Sequence, residues 1–100
     1  MPRNPKRRPT HPGALLREDV LPAAGITQTE LAERMGVSRL TVSEIIHEKR
    51  ALTADLAHRL SRVFGNGPEL WLNLQKAVDL WEALEKNQRE YDRIETLNVA

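Results

Sequence analysis

The chain has 100 residues, of which 40% are hydrophobic and 29% charged, and it contains no cysteine. This length accommodates one small domain, and the composition favours an all-α fold over a β-sandwich. Without cysteine the chain cannot form a disulfide, a thiol nucleophile or a thiolate metal site. The sequence shows no apolar run of transmembrane length and no signal peptide, so we expect a cytoplasmic protein that does not bind a membrane.

The charges are distributed unevenly, although the net charge is only +1. Residues 1–17 carry five cations and no acid, whereas residues 69–100 carry four cations and seven acids. This asymmetry predicts two different partners, one of them an anion. Residues 1–10 contain three prolines and four cations and are predicted to form a flexible basic arm. The composition fits equally well an arm that follows the DNA backbone and a disordered tail without a function in binding.

Capping and turn residues delimit the first four predicted helices. Pro12 suits the first position of a helix, which we expect to end at Pro22. Thr27 and Glu30 form a T-x-x-E capping box that opens a second helix, and Gly36 fits the left-handed stop after it. The hydroxyl caps predicted for the third and fourth helices are Ser38 and Thr53.

A long fifth helix is predicted from Pro68 onward. Mostly apolar positions recur at alternating spacings of four and three residues along it. If residues 69–95 are all helical, they span roughly 40 Å, which is more than a small domain needs. We therefore expect part of this helix to pack on a second copy of the chain. The predicted dimer contacts are Trp71, Leu74, Val78 and Trp81; for both tryptophans the alternative is the core of their own subunit.

Counting from Gln28 identifies a helix-turn-helix at residues 28–47. Two short crossed helices must bury apolar groups at fixed positions, need a small residue where they touch, and need positive φ in the turn. All seven constrained positions fit: Leu31, Ala32, Met35, Gly36, Val37, Val42 and Ile45. The second helix of such a pair lies in the major groove of DNA, with its N-terminal residues at the base edges.

The outward residues of this unit are candidate DNA contacts. Arg39 fits guanine, Leu40 a thymine methyl and Glu44 a cytosine amino group. The alternatives are a solvated Arg39, an incidentally exposed Leu40, and a Glu44 paired with a nearby cation such as Lys49. Lys49 and Arg50 also fit a role as complements of the helix dipole. The predicted contacts to the DNA backbone are Gln28, Thr29, Ser38, Thr41, Ser43, Lys49 and Arg50.

Residues 11–82 resemble the HigA-type antitoxins of the phage-repressor-like (XRE) helix-turn-helix class. The segments that carry the resemblance are "HPG", "GITQTELAERMGVSR" and "GPELWLNLQ". The resemblance implies a five-helix fold that dimerises, binds a palindromic operator in its own promoter and neutralises a HigB-type mRNA endonuclease toxin. We accordingly divide the chain into the arm 1–10, a helix-turn-helix core 11–68 and a long C-terminal helix 69–100 that contributes to core packing and association.

The sequence departs from this family at two points. His47-Glu48 replaces the usual Asn-Gly after the recognition helix, which predicts a longer helix and displaced positions for Lys49 and Arg50. Leu40 occupies a position that is more often polar, so the operator is expected to differ from those of relatives.

Other classes of function are less well supported. The pairs Glu44/His47 and Asp55/His58 have the spacing of di-iron ligands, but the apolar residues of each helix point to the opposite face, so we expect no metal site. No catalytic triad or phosphate loop is evident, and we expect neither enzymatic activity nor a cofactor. Two rivals remain: a stand-alone dimeric repressor without a toxin, and a protein–protein adaptor whose helix-turn-helix no longer binds DNA.

Overall fold

The computed structural model describes residues 7–98, so the first six residues of the predicted arm lie outside the described range. Five helices surround one core, which confirms the predicted all-α fold. Helix α1 consists of Pro12–Leu15, a π-helical turn Leu16–Val20, and Leu21–Ala24. The other helices are α2 (Gln28–Met35), α3 (Arg39–Ile46), α4 (Ala54–Phe64) and α5 (Pro68–Asp92).

Helix α1 continues past Pro22, so the prediction that it ends there is wrong. A proline lacks an N–H, and its ring clashes with the carbonyl four residues earlier in an α-helix. The π-helical turn just before Pro22 widens this stretch, and the Leu21 N–H bonds to the Leu16 carbonyl five residues back. The helix therefore runs to Ala24 and ends at Gly25, whose φ of 68° is left-handed.

The predicted caps of the next three helices are present. The side chains of Thr27, Ser38 and Thr53 accept hydrogen bonds from the backbone N–H three residues ahead, at 3.1, 3.1 and 3.3 Å. Each bond satisfies an N–H that has no partner inside its helix. These caps set where α2, α3 and α4 begin, and therefore how the helix-turn-helix presents its surface.

The core is formed by one face of each helix. Its most deeply buried apolar side chains come from all five helices: Leu16, Leu31, Val42, Ile45, Ile46, Leu60, Trp71 and Val78. A buried polar group, Gln75, joins the loop before α4 to α5. Its Oε1 accepts the Leu52 N–H at 2.8 Å, and its Nε2 donates to Asp79 at 2.9 Å. The amide thereby satisfies a backbone donor that would otherwise be buried without a partner.

The two halves of α5 differ in their environment. The first half packs against α4 and α1, whereas Leu80, Leu84 and Tyr91 in the second half are exposed. Asn87 has φ −127° and ψ 18°, which interrupts the helical geometry. The helix ends at Asp92, three residues short of position 95. No helix within residues 7–98 is both long and apolar enough to cross a membrane.

Candidate nucleic-acid interface

Helices α2 and α3 form the helix-turn-helix, and their relative position is fixed by the turn between them. Gly36 has φ 71°, a conformation that costs little only for a residue without Cβ. Arg59 of α4 donates from Nη1 to the Met35 carbonyl at 2.9 Å. Ala32 is buried at the contact between the helices. The turn is therefore held both by its own backbone and by a side chain from α4.

The N-terminal end of α3 presents the candidate base-reading side chains. Ser38 caps the helix, and its Oγ lies 2.9 Å from Thr41 Oγ1, so both hydroxyls face the first turn. Arg39 is exposed and makes no ion pair or hydrogen bond with any other described residue. Leu40 is 69% exposed. No described part of the chain covers these two side chains.

The remaining candidate phosphate contacts lie on α2, along α3 and after α3. Gln28 is the first residue of α2 and is half-buried, whereas Thr29 and Lys49 are exposed. Ser43 is half-buried, and its Oγ lies 3.3 Å from Nδ1 of His47. These candidates thus come from the first turn of α2, from α3 itself and from the segment that follows it.

Glu44 pairs with Arg50 rather than with Lys49, the cation that the sequence indicates. Arg50 Nη2 lies 3.1 Å from Glu44 Oε1, because the chain turns back after α3 and brings residue 50 over the helix. The sequence predicts separate contacts for these two side chains, to a base and to a phosphate. In the structure the two side chains form an ion pair with each other. A DNA contact by either one therefore requires that this ion pair opens or that both side chains bind DNA together.

The C-terminal end of α3 differs from the prediction. The helix ends at Ile46 and is not lengthened, because Glu48 adopts a left-handed φ of 61° and so turns the chain as a glycine would. Arg17 donates from Nη1 to the Ile46 carbonyl at 2.6 Å. This cation satisfies one of the carbonyls left unbonded at a helix end and complements the helix dipole.

Glu48 is also the centre of an ion-pair cluster that the sequence does not reveal. Its carboxylate lies 2.6 Å from Arg8 Nη1 and 3.4 Å from Arg17 Nη2. Arg8 reaches on to Glu82 of α5 at 2.9 Å. The hydrogen bond that Arg8 donates to Glu48 holds the pKa of the Glu48 carboxyl below its usual value, and the same bond raises the pKa of Arg8. These partners are 31 to 74 residues apart in sequence, so no local pattern indicates them.

The "HPG" segment packs against the same end of α3. His11 is buried, and its Nδ1 accepts the Gly13 N–H at 2.9 Å, which caps α1. A Cβ on Gly13 would lie 1.9 Å from the Ile45 carbonyl oxygen, so only glycine fits at this contact. Burial is the largest influence on His11 and lowers its pKa. The motif therefore joins the start of α1 directly to the backbone of the recognition helix.

Burial divides the four predicted dimer contacts into two groups. Trp71 and Val78 are each 1% exposed and lie inside the protomer, and Trp71 Nε1 donates to Asn66 at 3.0 Å. Trp71 thus has the place that was its alternative, in the core of its own subunit, and Val78, for which the sequence indicated no alternative, is buried as deeply. Leu74 and Trp81 are half-buried and remain accessible in part.

Comparison with known proteins identifies the family. Residues 16–72 match the helix-turn-helix family. The antitoxin HigA-1 of Vibrio cholerae serotype O1 is 45% identical over 98 residues, which is 98% of this chain and 92% of the relative. The chain belongs to the HigA-type antitoxin family of helix-turn-helix proteins. This is a DNA-binding family and not a family of enzymes. The HTH-type transcriptional regulator YbaQ of Escherichia coli K12 is 46% identical over 94 residues, 91% of this chain and 82% of that protein.

Solved structures of related antitoxins have the same fold. The Pseudomonas aeruginosa antitoxin HigA with the higBA promoter is 38% identical, with a TM-score of 0.85 over 90% of this chain and 99% of that one. The antitoxin GraA in complex with its operator is 39% identical, with a TM-score of 0.85 and complete coverage of both chains (100% of each). Both structures therefore have the overall fold described above for this chain.

Proposed function

We propose that this chain binds operator DNA through the outer face of α3 and represses its own operon. The observation that carries the proposal is the N-terminal turn of α3, where Arg39 and Leu40 project outward with no described part of the chain covering them. This is the part of a helix-turn-helix that reads base edges in the major groove. The relatives whose structures contain promoter or operator DNA support the same role.

We assign some of these residues to base contacts and the others to phosphate contacts. Arg39 reads a guanine and Leu40 contacts a thymine methyl, while Glu44 accepts from a cytosine only where its pair with Arg50 opens. The proposed phosphate contacts are Gln28, Thr29, Ser38, Thr41, Ser43, Lys49 and Arg50. Bonds to phosphate position the protein but carry little sequence information, and the cations among these residues make binding sensitive to salt.

A homodimer would place two copies of α3 on a palindromic operator, with half-sites one helical turn apart, about 34–36 Å. We propose that the dimer contact involves the accessible side of α5, where Leu74 and Trp81 are half-buried and Leu84 is exposed. Sedimentation of Trp81→Ala over a range of concentrations tests this surface. A weaker dimer is expected, and an unchanged dimer would exclude Trp81 from the contact.

We further propose that the chain neutralises a HigB-type mRNA endonuclease toxin in the cytoplasm. The support is membership of the HigA family and near-complete coverage of the antitoxin HigA-1. Co-expression with the product of the neighbouring gene tests this proposal. Rescue of growth and co-purification are expected, and a toxin-free neighbourhood would favour the stand-alone repressor instead.

The DNA-binding proposal is tested by a charge-matched pair of variants. Arg39→Ala should weaken operator binding by roughly 1–3 kcal/mol and relax specificity at one base pair. Arg34→Ala removes the same charge, but Arg34 lines a hollow with Ala24, Ile26, Val63 and Phe64, away from the outer face of α3. We therefore expect only a small loss for Arg34→Ala. If the two variants bound operator and scrambled DNA alike, Arg39 would not read bases.

DNA titration of the unmodified chain is enough to distinguish a DNA-binding antitoxin from a protein–protein adaptor. Titration of its own promoter fragment at several salt concentrations should give binding that weakens steeply as salt rises. Binding that is absent at every salt concentration would favour a protein–protein adaptor over a DNA-binding antitoxin.

A further inference from the structure

Glu48 occupies a backbone conformation that its residue type does not favour. Within residues 7–98 it is the only non-glycine residue with positive φ, and the other three positive-φ residues are glycines. A non-glycine residue at such a position carries strain, and strained residues persist where the surroundings hold them, often at functional sites. The turn after α3 would form at lower cost with glycine, so the side chain of Glu48 is the feature that requires an explanation.

The side chain of Glu48 binds two cations that come from separate parts of the chain. Its carboxylate pairs with Arg8, before α1, and with Arg17, on α1, at 2.6 and 3.4 Å. The glutamate side chain is 23% exposed, whereas the two arginine side chains are 39% and 38% exposed. Both arginine side chains are thus partly accessible to solvent, but their guanidinium groups are paired with the Glu48 carboxylate.

The cluster borders the surface proposed to contact DNA. Lys49 and Arg50, two of the proposed phosphate contacts, follow Glu48 directly in the chain. Arg17 also contacts the carbonyl of Ile46, the last residue of the recognition helix. Two arginines at this border would be suitable phosphate ligands, since a guanidinium fits a phosphate through paired N–H groups.

We propose that Glu48 limits the overall affinity of the DNA interface: its carboxylate holds Arg8 and Arg17 off the phosphate backbone. This inference rests on the proposed DNA-binding function. Phosphate contacts strengthen binding to every sequence equally, whereas base contacts discriminate. Keeping two cations in an internal cluster therefore lowers the affinity for random DNA and for the operator by a similar factor, and leaves discrimination between sequences to base contacts such as that of Arg39.

The proposal predicts a change in the salt dependence of DNA binding. Each phosphate neutralised contributes about 0.9 to the slope of log K against log salt concentration. Glu48→Gln keeps the shape of the side chain but removes its charge, so that Arg8 retains only Glu82, at 2.9 Å, and Arg17 retains only Glu18, at 3.5 Å, as carboxylate partners. Once the shared carboxylate is gone, one arginine can exchange its remaining exposed partner for a phosphate. The slope should then steepen by about 0.9, and binding to the scrambled duplex and to the operator should strengthen by a similar factor.

Removal of Arg8 distinguishes this mechanism from a general effect of charge. In the parent, Arg8→Ala should leave the salt slope unchanged, because Arg8 is held by Glu48 and Glu82. In a Glu48→Gln/Glu82→Gln background, where Arg8 has lost both carboxylate partners, the same substitution should make the slope shallower by about 0.9. Glu33→Gln is the control for charge, since Glu33 is exposed on α2 and makes no ion pair with another described residue; it should change the slope far less than Glu48→Gln.

The experiment measures binding of the full chain to operator and scrambled duplexes over a series of salt concentrations. Glu48→Gly also removes the carboxylate, and glycine suits the left-handed turn. This variant should reproduce the steeper slope, and it provides a second test if Glu48→Gln does not fold. A parent slope retained in both Glu48 variants would overturn the proposal, and so would a shallower slope for Arg8→Ala alone. If the parent showed no salt-sensitive binding to either duplex, the proposed DNA-binding function itself would be wrong.

Discussion

The two ends of the recognition helix α3 are held in different ways. At the N-terminal end a local cap, in which the Thr41 N–H donates to Ser38 Oγ, starts the helix. At the C-terminal end, contacts arrive from distant parts of the chain: Gly13 packs on the Ile45 carbonyl, and Arg17 bonds to the Ile46 carbonyl. The base-reading end is therefore left open to a ligand, while the opposite end is anchored in the fold.

The largest effect is expected from a substitution at the anchored end. Gly13→Ala would bring a Cβ to 1.9 Å from the Ile45 carbonyl oxygen, and a backbone atom cannot move aside as a flexible side chain can. We expect a loss of about 3 kcal/mol in the free energy of unfolding, the upper part of the usual range for overpacking, measured by urea denaturation.

Gly25→Ala provides the control for this substitution. Gly25 has φ 68°, but a Cβ added to it would meet nothing within 4 Å, so only the backbone conformation is strained. The expected cost is about 1–2 kcal/mol. If the two variants were equally stable, the close approach of Gly13 to α3 would not be an important restraint.

A smaller effect is expected at the open end. Ser38→Ala removes the cap of α3 and should cost about 1 kcal/mol, whereas Ser38→Asn, another good capping residue, should retain most of the stability. Urea denaturation again provides the measurement. A loss for Ser38→Ala as large as that for Gly13→Ala would contradict the contrast between the two ends of the helix.

The same contrast explains which features can be predicted from the sequence. The caps at Thr27 and Ser38 and the turn at Gly36 are predictable because each depends on residues within a few positions of one another. The outward direction of Arg39 and Leu40 follows from the helical repeat, which places buried apolar residues on the opposite face of α3. A local pattern of this kind determines the direction of a side chain along a helix but gives no information about distant partners.

The incorrect predictions concern features that depend on three-dimensional contacts. Helix α1 passes Pro22 because a π-helical turn accommodates the ring, and no local sequence pattern indicates that turn. Helix α3 ends before Glu48, whose φ of 61° is left-handed although its residue type does not favour it, and the carboxylate pairs there with Arg8 and Arg17. The sequence indicates Lys49 as a partner of Glu44, but the turn at Glu48 redirects the chain and brings Arg50 to it instead.

The anchored end can be examined further by separating backbone strain from ion pairing. Glu48→Gln loses the ion pairs but keeps the left-handed backbone, whereas Glu48→Gly loses the pairs and relieves the strain. Left-handed geometry costs a non-glycine residue about 1–2 kcal/mol, so Glu48→Gly should be more stable than Glu48→Gln by about 1 kcal/mol. In about 0.5 M salt the difference between the parent and Glu48→Gln should shrink, because partly exposed pairs are screened. An order of stability opposite to this would show that Glu48 is not strained.

The smallest effect expected at the anchored end depends on pH. Burial lowers the pKa of His11 from its ordinary value of 6.5, and its Nδ1 must be unprotonated to accept the Gly13 N–H. As the pH falls below about 6.5, the unfolded chain binds a proton that the folded chain does not, so this contribution to stability is present above that pH and is lost below it.

His11→Asn isolates this contribution, since asparagine can still cap α1 but does not titrate. Urea denaturation of both chains between about pH 7.5 and pH 5.5 should show the parent losing more stability than the variant. Most carboxylates titrate below this window, and the pKa of neighbouring Glu48 is itself lowered, so the acidic groups should affect both chains alike. Parallel pH profiles would mean that His11 is as easily protonated in the folded chain as in the unfolded one, and that the anchored end of α3 does not depend on its neutral form.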